Sequence, residues 1–206
     1  MAYRSFRSTF AWIALVALLS GCQTTSIQSA WFDTDFVGPP MRKVVVSASV
    51  GGMAEGRMFE DIFVEKLRAA GVEAVAGHTV RLDVPALPDA SFTATVLDTG
   101  AQGLLLVRLL DVDTRTQVST RMVHGGSAWG RGGWGGTTRT TMIPVQQVSQ
   151  YELATVETKL FEVQSRQLVW AATTSTFNPR SVAREAPGFA GLIIGQLASR
   201  DIIASK

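Results

Sequence analysis

Asp111 and Asp113, Arg108, two histidines and the tract HGGSAWGRGGWGG (residues 124–136) are where this chain could carry chemistry. The tract spells G-x-G-x-x-G at Gly130, Gly132 and Gly135. A dinucleotide fingerprint needs a strand before it, a helix after it and an acidic residue about 20 positions on. Here TTRTTM follows, which reads as strand or loop, and the Gly-Lys-Ser/Thr of a Walker loop is missing. Glycine-arginine boxes that bind RNA repeat their motif, and this tract holds a single Arg-Gly-Gly. Phosphate and nucleic acid are therefore set aside. Two readings remain for residues 124–137. One is a flexible connector between strands. The other is a contact loop in which Trp129, Arg131 and Trp134 meet a partner or the headgroup layer, where tryptophan is favoured. Ordering so many glycines is entropically costly, so such a contact would be of modest strength.

Asp111 and Asp113 are two apart and share one face of a strand, as a metal-binding carboxylate pair would. No histidine or third carboxylate adjoins them in sequence, so they read as a solvated strand end. Arg108 interrupts the apolar run LLLVRLL. A buried guanidinium must be paired, and Glu157 or Asp111 could serve; a ligand-binding arginine is the alternative. His78 and His124 are far apart and fall in loops, short of a zinc site or a histidine-based triad. Glu60, Asp61, Glu65, Lys66 and Arg68 read as the solvated face of a helix. No nucleophile or acid–base constellation assembles from local motifs. The expectation is a protein without catalytic activity, cofactor or metal.

The chain begins MAYRSFRSTFAWIALVALLSGC. Arg4 and Arg7 precede a charge-free apolar run of about ten residues, half the ~20 that a spanning helix needs and the size of a secretory h-region. Leu19, Ser20, Gly21 and Cys22 close it, and together these features resemble the lipobox of bacterial lipoproteins. That resemblance implies removal of residues 1–21, recognition of Leu19, Ser20 and Gly21 by the signal peptidase, and acylation of Cys22. Two or more acyl chains hold a protein stably on a membrane where one does not. Cys22 is the only cysteine, so once lipidated it leaves no thiol for disulfides or nucleophilic catalysis. By the family's sorting habit, Gln23 at the next position favours the outer membrane, with the domain facing the periplasm.

Loss of the leader also changes the charge. The whole chain has 19 basic and 17 acidic residues. Arg4 and Arg7 depart with residues 1–21, leaving 17 of each. No basic excess remains for a polyanion.

Elements must hold these groups in place, and the pattern supports one domain over 31–206. Residues 22–30 read as a lipidated cysteine with a short polar tether, eight residues of which reach at most ~28 Å. MRKVVVSASV reads as a buried strand. GRMFEDIFVEKLRAAG follows as a helix with Phe59, Ile62, Phe63, Leu67 and Ala70 on its inner stripe and Gly71 as C-cap. VEAVA is a second strand, parallel to the first. Asp89 caps a weaker helix running to about Thr99, with Phe92 and Val96 inward. LLLVRLLDVD is the central strand, and the glycine tract and a threonine-rich segment follow it. Residues 151–177 read as a hairpin turning at Gln164 to Gln167, with Val156, Leu160, Leu168 and Trp170 packing. A final helical region is interrupted at Pro187-Gly188, with Phe189, Leu192, Ile193, Leu197 and Ile202 inward; Gly191 and Gly195 let it pack closely. The expectation is an α/β sandwich, a mixed sheet with helices packed on it in the order β-α-β-α-β-β-β-α.

That order, carried by VVVSAS, RMFEDIFVEKLRAAGVEAV, LLLVRLLDVD and VETKLFEVQSRQLVW, resembles a group of small bacterial lipoproteins. It is more distantly similar to the periplasmic domains of penicillin-binding-protein activator lipoproteins and of the curli-secretion lipoprotein. The resemblance implies an accessory role that binds an envelope protein partner and supplies no catalytic residues. A carrier of a small or lipidic ligand is the alternative.

Overall fold

Val44, Val45 and Val46 are fully buried at the centre of the fold, because their strand, β2 (Lys43–Ser49), has a neighbour on each edge and a helix on each face. In this computed structural model, which describes residues 25–80, 90–125 and 141–205, β2 runs parallel to β3 (Glu73–Ala76) on one side. On its other side it runs parallel to β4 (Gly103–Gly125). Helix α1 (Met53–Ala69) connects β2 to β3. It stops where Gly71 adopts φ +97°, a left-handed conformation that glycine takes without steric cost. Strand β5 (Thr141–Glu162) is antiparallel to β4 and to β6 (Leu168–Phe177). The β5–β6 turn lies where the sequence places it, with Arg166 at φ +60°.

An additional strand, β1 (Thr25–Phe32), pairs antiparallel with β6 and completes a six-stranded sheet in the order β1-β6-β5-β4-β2-β3. This corrects the expected tether over residues 22–30, because from Thr25 onward the chain is already in the sheet. The physical reason is alternation with small side chains. Thr25 is buried and hydrogen-bonds Thr176 at 2.9 Å, and Ile27 packs on the core. The serines and glutamine between them made the stretch look unstructured.

Helices α1 and α3 (Val182–Ala198) lie together over one face of the sheet. Phe59 and Phe63 of α1 and Phe189 of α3 form an aromatic trio, with ring centroids 5.9, 5.4 and 6.3 Å apart. Under them lie Val46, Leu105, Val107, Leu160 and Trp170. Each such side chain removed from water contributes ~1.5–3 kcal/mol. The other face carries α2 (Ala90–Asp98), whose Val96 covers Val45, Leu104, Leu106 and Phe161. Asp89, expected to cap this helix, lies outside the described residues.

Helix α3 is continuous through Pro187, where an interruption was expected. Proline removes one intrahelical donor, and the carbonyl it leaves unpaired belongs to the exposed Ala183, which water can satisfy. Gly191 and Gly195 do not bring the helix close to the fold: both are exposed, and an added Cβ at either would meet nothing within 4 Å. Close approach occurs instead at Gly56 of α1, whose added Cβ would lie 3.0 Å from the Ala48 carbonyl oxygen.

Candidate functional site: a projecting ribbon and the crevice at its root

The β4–β5 hairpin outgrows the sheet. The pairing of β4 with β2 ends at Arg108, and that of β5 with β6 ends at Leu153 opposite Phe177. The two arms pair with each other well beyond, through Asp113–Leu153 to Gly125–Thr141. At ~3.4 Å per residue the free ribbon is about 40 Å long. A β-bulge between Leu109 and Asp111 marks its root; a bulge bends its strand and sharpens the twist. The returning arm of this ribbon begins at Thr141, so Thr141 to Ile143 of the threonine-rich segment belong to it.

Residues 110–123 and 142–150 are all exposed. Among them Val118, Met122 and Val148 are 58%, 61% and 62% accessible, and Val118 and Val148 face each other across the ribbon. Its charge is unevenly placed. Between Thr114 and Gly125, and between Thr141 and Tyr151, the only charged residues are Arg115 and Arg121. Their cross-strand partners are Tyr151 and Val145, which puts both arginines on one face. Arg115 is paired with Asp113 at 3.1 Å. The opposite face presents Thr116, Val118, Thr120 and Met122 against Gln150, Val148, Gln146 and Pro144, without charge. Trp129, Arg131 and Trp134, the residues expected to make contacts, lie outside the described residues, as do Leu19, Ser20, Gly21 and Cys22.

At the root, on the helix side, is a crevice of ≈240 Å³. Phe59, Phe189, Val112 and Val156 form its apolar floor, and Glu55, Arg180 and Glu185 stand at its rim. The N-termini of α1 and α3 both border it, and a helix N-terminus attracts anions. Carboxylates already occupy both: Glu55 accepts the Gly52 N–H, and Glu185 accepts the Arg180 N–H at 3.4 Å. An incoming phosphate would meet these negative charges. The crevice suits an apolar group about the size of a side chain, and it falls below the ~300–1,000 Å³ of ordinary ligand pockets.

Two sequence expectations are corrected here. Arg108 is exposed, not buried, because α2 covers the sheet only as far as Leu106 and leaves the next inward position open. Glu157 lies directly opposite it but pairs with Lys159 at 2.9 Å. Glu60, expected on a solvated face, is 3% exposed. Its Oε1 accepts the Ala48 N–H at 2.8 Å; its Oε2 accepts the N–H and the Nδ1–H of His78, each at 2.8 Å. His78 also approaches Asp61 through Nε2 at 3.4 Å. This carboxylate ties α1 to β2 and to the 3-10 turn Gly77–Val80. Both oxygens and both ring nitrogens are engaged within the fold, so the cluster reads as a structural fastening. Asp111 and Asp113 keep the shared face expected of them, opposite Thr155 and Leu153. Among the described residues no three histidine, cysteine, aspartate or glutamate side chains converge as a metal site.

No protein-family model matches the chain, and neither does any curated protein. Solved structures similar to it include the PelC dodecamer from Paraburkholderia phytofirmans, 14% identical, covering 86% of this chain and 99% of that one with a TM-score of 0.45. Lipoprotein GNA1162 from Neisseria meningitidis is 9% identical, covering 76% and 98%, with a TM-score of 0.40. The hypothetical protein CT253 from Chlamydia trachomatis is 8% identical, covering 78% and 92%, with a TM-score of 0.34. These are likenesses at low identity; the mixed α/β fold rests on the register and packing described above.

Proposed function

We propose that this chain is a lipid-anchored protein of the bacterial envelope, without catalytic activity, that works by binding a protein partner through its ribbon. The observation that carries this reading is the ribbon itself. About 40 Å of paired strand contributes nothing to the described core and exposes valines and methionines on a face that carries Glu152 at its root and no charge from Thr116 to Met122 or from Pro144 to Gln150. A ligand carrier is less well supported, because the crevice at the ribbon root holds ≈240 Å³, room for a small group and not for a lipid. The anchor rests on Leu19 to Cys22, with the outer membrane favoured by Gln23. Among the described residues no helix is long and apolar enough to cross a membrane.

Two outcomes test the proposal. Cys22→Ser should move the protein from the membrane to the soluble fraction; retention on the membrane would refute lipid anchoring. Replacing residues 116–150 by an Asn-Gly turn, which keeps Arg115 opposite Tyr151 and Tyr151 against Phe177, should leave the unfolding free energy within ~0.5 kcal/mol. The same deletion should abolish capture of the partner by cross-linking in the native envelope. Capture undiminished by the deletion would place the contact elsewhere on the domain.

A further inference from the structure

The floor of the crevice at the ribbon root runs straight to the start of the sheet. Val112, Ala154 and Thr176 stand side by side on β4, β5 and β6 as successive cross-strand partners, and all three line the crevice. The next partner in that row is Thr25, the first residue of β1. Ala154, Thr176 and Thr25 are all buried. The two threonine hydroxyls bond each other at 2.9 Å, so neither presents an unmet donor to hydrocarbon, where one would be costly. Val156, Phe59 and Phe189 complete the apolar surface, and the charges of Glu55, Arg180 and Glu185 stay at the rim.

The length of chain before Thr25 adds a second, independent observation. Cys22 is three residues earlier, at most ~11 Å away along the chain. On the reading that Cys22 is lipidated, on which this step rests, its acyl chains start beside an apolar crevice. The crevice is too small for a whole lipid. A methylene is close to a water in size, ~30 Å³, so ≈240 Å³ accepts about eight of them, the end of one chain.

We infer that one acyl chain of Cys22 runs along this row and lies in the crevice, against Val112, Val156 and Phe189. A partner's side chain would have to find the crevice from solution. The acyl chain is instead held beside it by three residues, and a short tether supplies an effective concentration in the millimolar range. Leaving the bilayer forfeits little, because lipid tails are as apolar as leucine side chains. The other acyl chains keep their hold, since two suffice for stable anchoring. A chain so placed pins the ribbon root to the membrane surface and sets the bearing of the ribbon over it, which an anchor at Cys22 alone does not set.

The test uses the full-length lipidated chain, taken from cells fed a fatty acid with a diazirine at its far end. Intact mass first establishes acylation. After irradiation in the native membrane, adducts within the chain should map to the peptides that carry Val112, Ala154 to Val156 and Phe189. Ala154→Phe fills the floor, and Val112→Glu sets a carboxylate in the wall at a 47% accessible position, where the fold tolerates it. Each should cut the crevice adducts about ten-fold, the effect of ~1.4 kcal/mol of lost preference, with the thermal midpoint of Val112→Glu unchanged. Adducts confined to lipid or to residues 116–150, or undiminished in Val112→Glu, would overturn the proposal. A benzoylphenylalanine in place of Val112, irradiated in the native envelope, should return the chain at its own size. A conjugate with another protein or with a second copy would give the crevice to that partner and overturn the proposal as well. An unacylated chain refutes the lipid anchor and the occupancy with it, whereas an acylated chain without crevice adducts refutes the occupancy alone.

Discussion

Glu60→Ala should destabilise the protein by about 3–5 kcal/mol, lowering the thermal midpoint by roughly 10 °C at the ~2–4 °C per kcal/mol of a domain this size. The substitution strands two backbone donors, the N–H groups of Ala48 and His78, and releases the His78 ring. An unsatisfied buried donor costs ~1–3 kcal/mol, and the lost side-chain packing adds to that. Glu60→Gln keeps one acceptor oxygen, so it should lose less; His78→Ala, which leaves the Ala48 bond intact, should also lose less. Thermal unfolding of the three variants would show this ranking. A loss below about 1 kcal/mol for Glu60→Ala would mean that water or a neighbouring group takes over both donors.

Phe189→Ala is the second large loss. Phe189 is 3% exposed and touches both Phe59 and Phe63 edge-on. Truncating a buried phenylalanine costs ~3–5 kcal/mol, part of it from the cavity left behind. Here that cavity would merge with the crevice, because Phe189 and Phe59 both line it. The variant should therefore unfold at lower denaturant concentration and also gain binding of a small apolar dye. Destabilisation without dye binding would show that α3 collapses into the space. Phe189→Leu keeps most of the volume and should retain more than half of the lost stability.

The parts of the fold that bury one face could be read from the sequence, and the parts that bury none could not. The Phe59, Phe63 and Leu67 stripe and the β5–β6 hairpin with Trp170 show the period of an inward face, and the consecutive valines of β2 show the unbroken apolar run of a strand covered on both sides. The ribbon has no inward face. TRTQVSTRMV and TMIPVQQVSQ mix threonine, glutamine and valine on both sides, so their alternation carries no burial signal and does not tell strand from loop. Strand β1 failed for a related reason, since its inward positions include a threonine that is satisfied only by Thr176, far along the chain.

Glu60 illustrates a different limit. Beside Phe59, a glutamate reads as surface, and only tertiary structure brings His78 and the Ala48 backbone to it. One local cue was present: Gly56 precedes Glu60 by one helical turn, on the side of α1 that lies close against β2. Arg108 erred the other way. Four apolar neighbours in LLLV made its strand look covered throughout, while the cover ends one residue pair short of it.

The extra residue at Leu110 separates what the ribbon presents from where it points. Its removal would let Leu109 and Asp111 succeed each other opposite Val156 and Thr155, so every rung farther out, from Val112 with Ala154 to Gly125 with Thr141, would keep its mate. Only the bearing of the arm relative to the body would change. A lineage could thus re-aim this reach by gaining or losing a single codon, leaving the outer surface untouched.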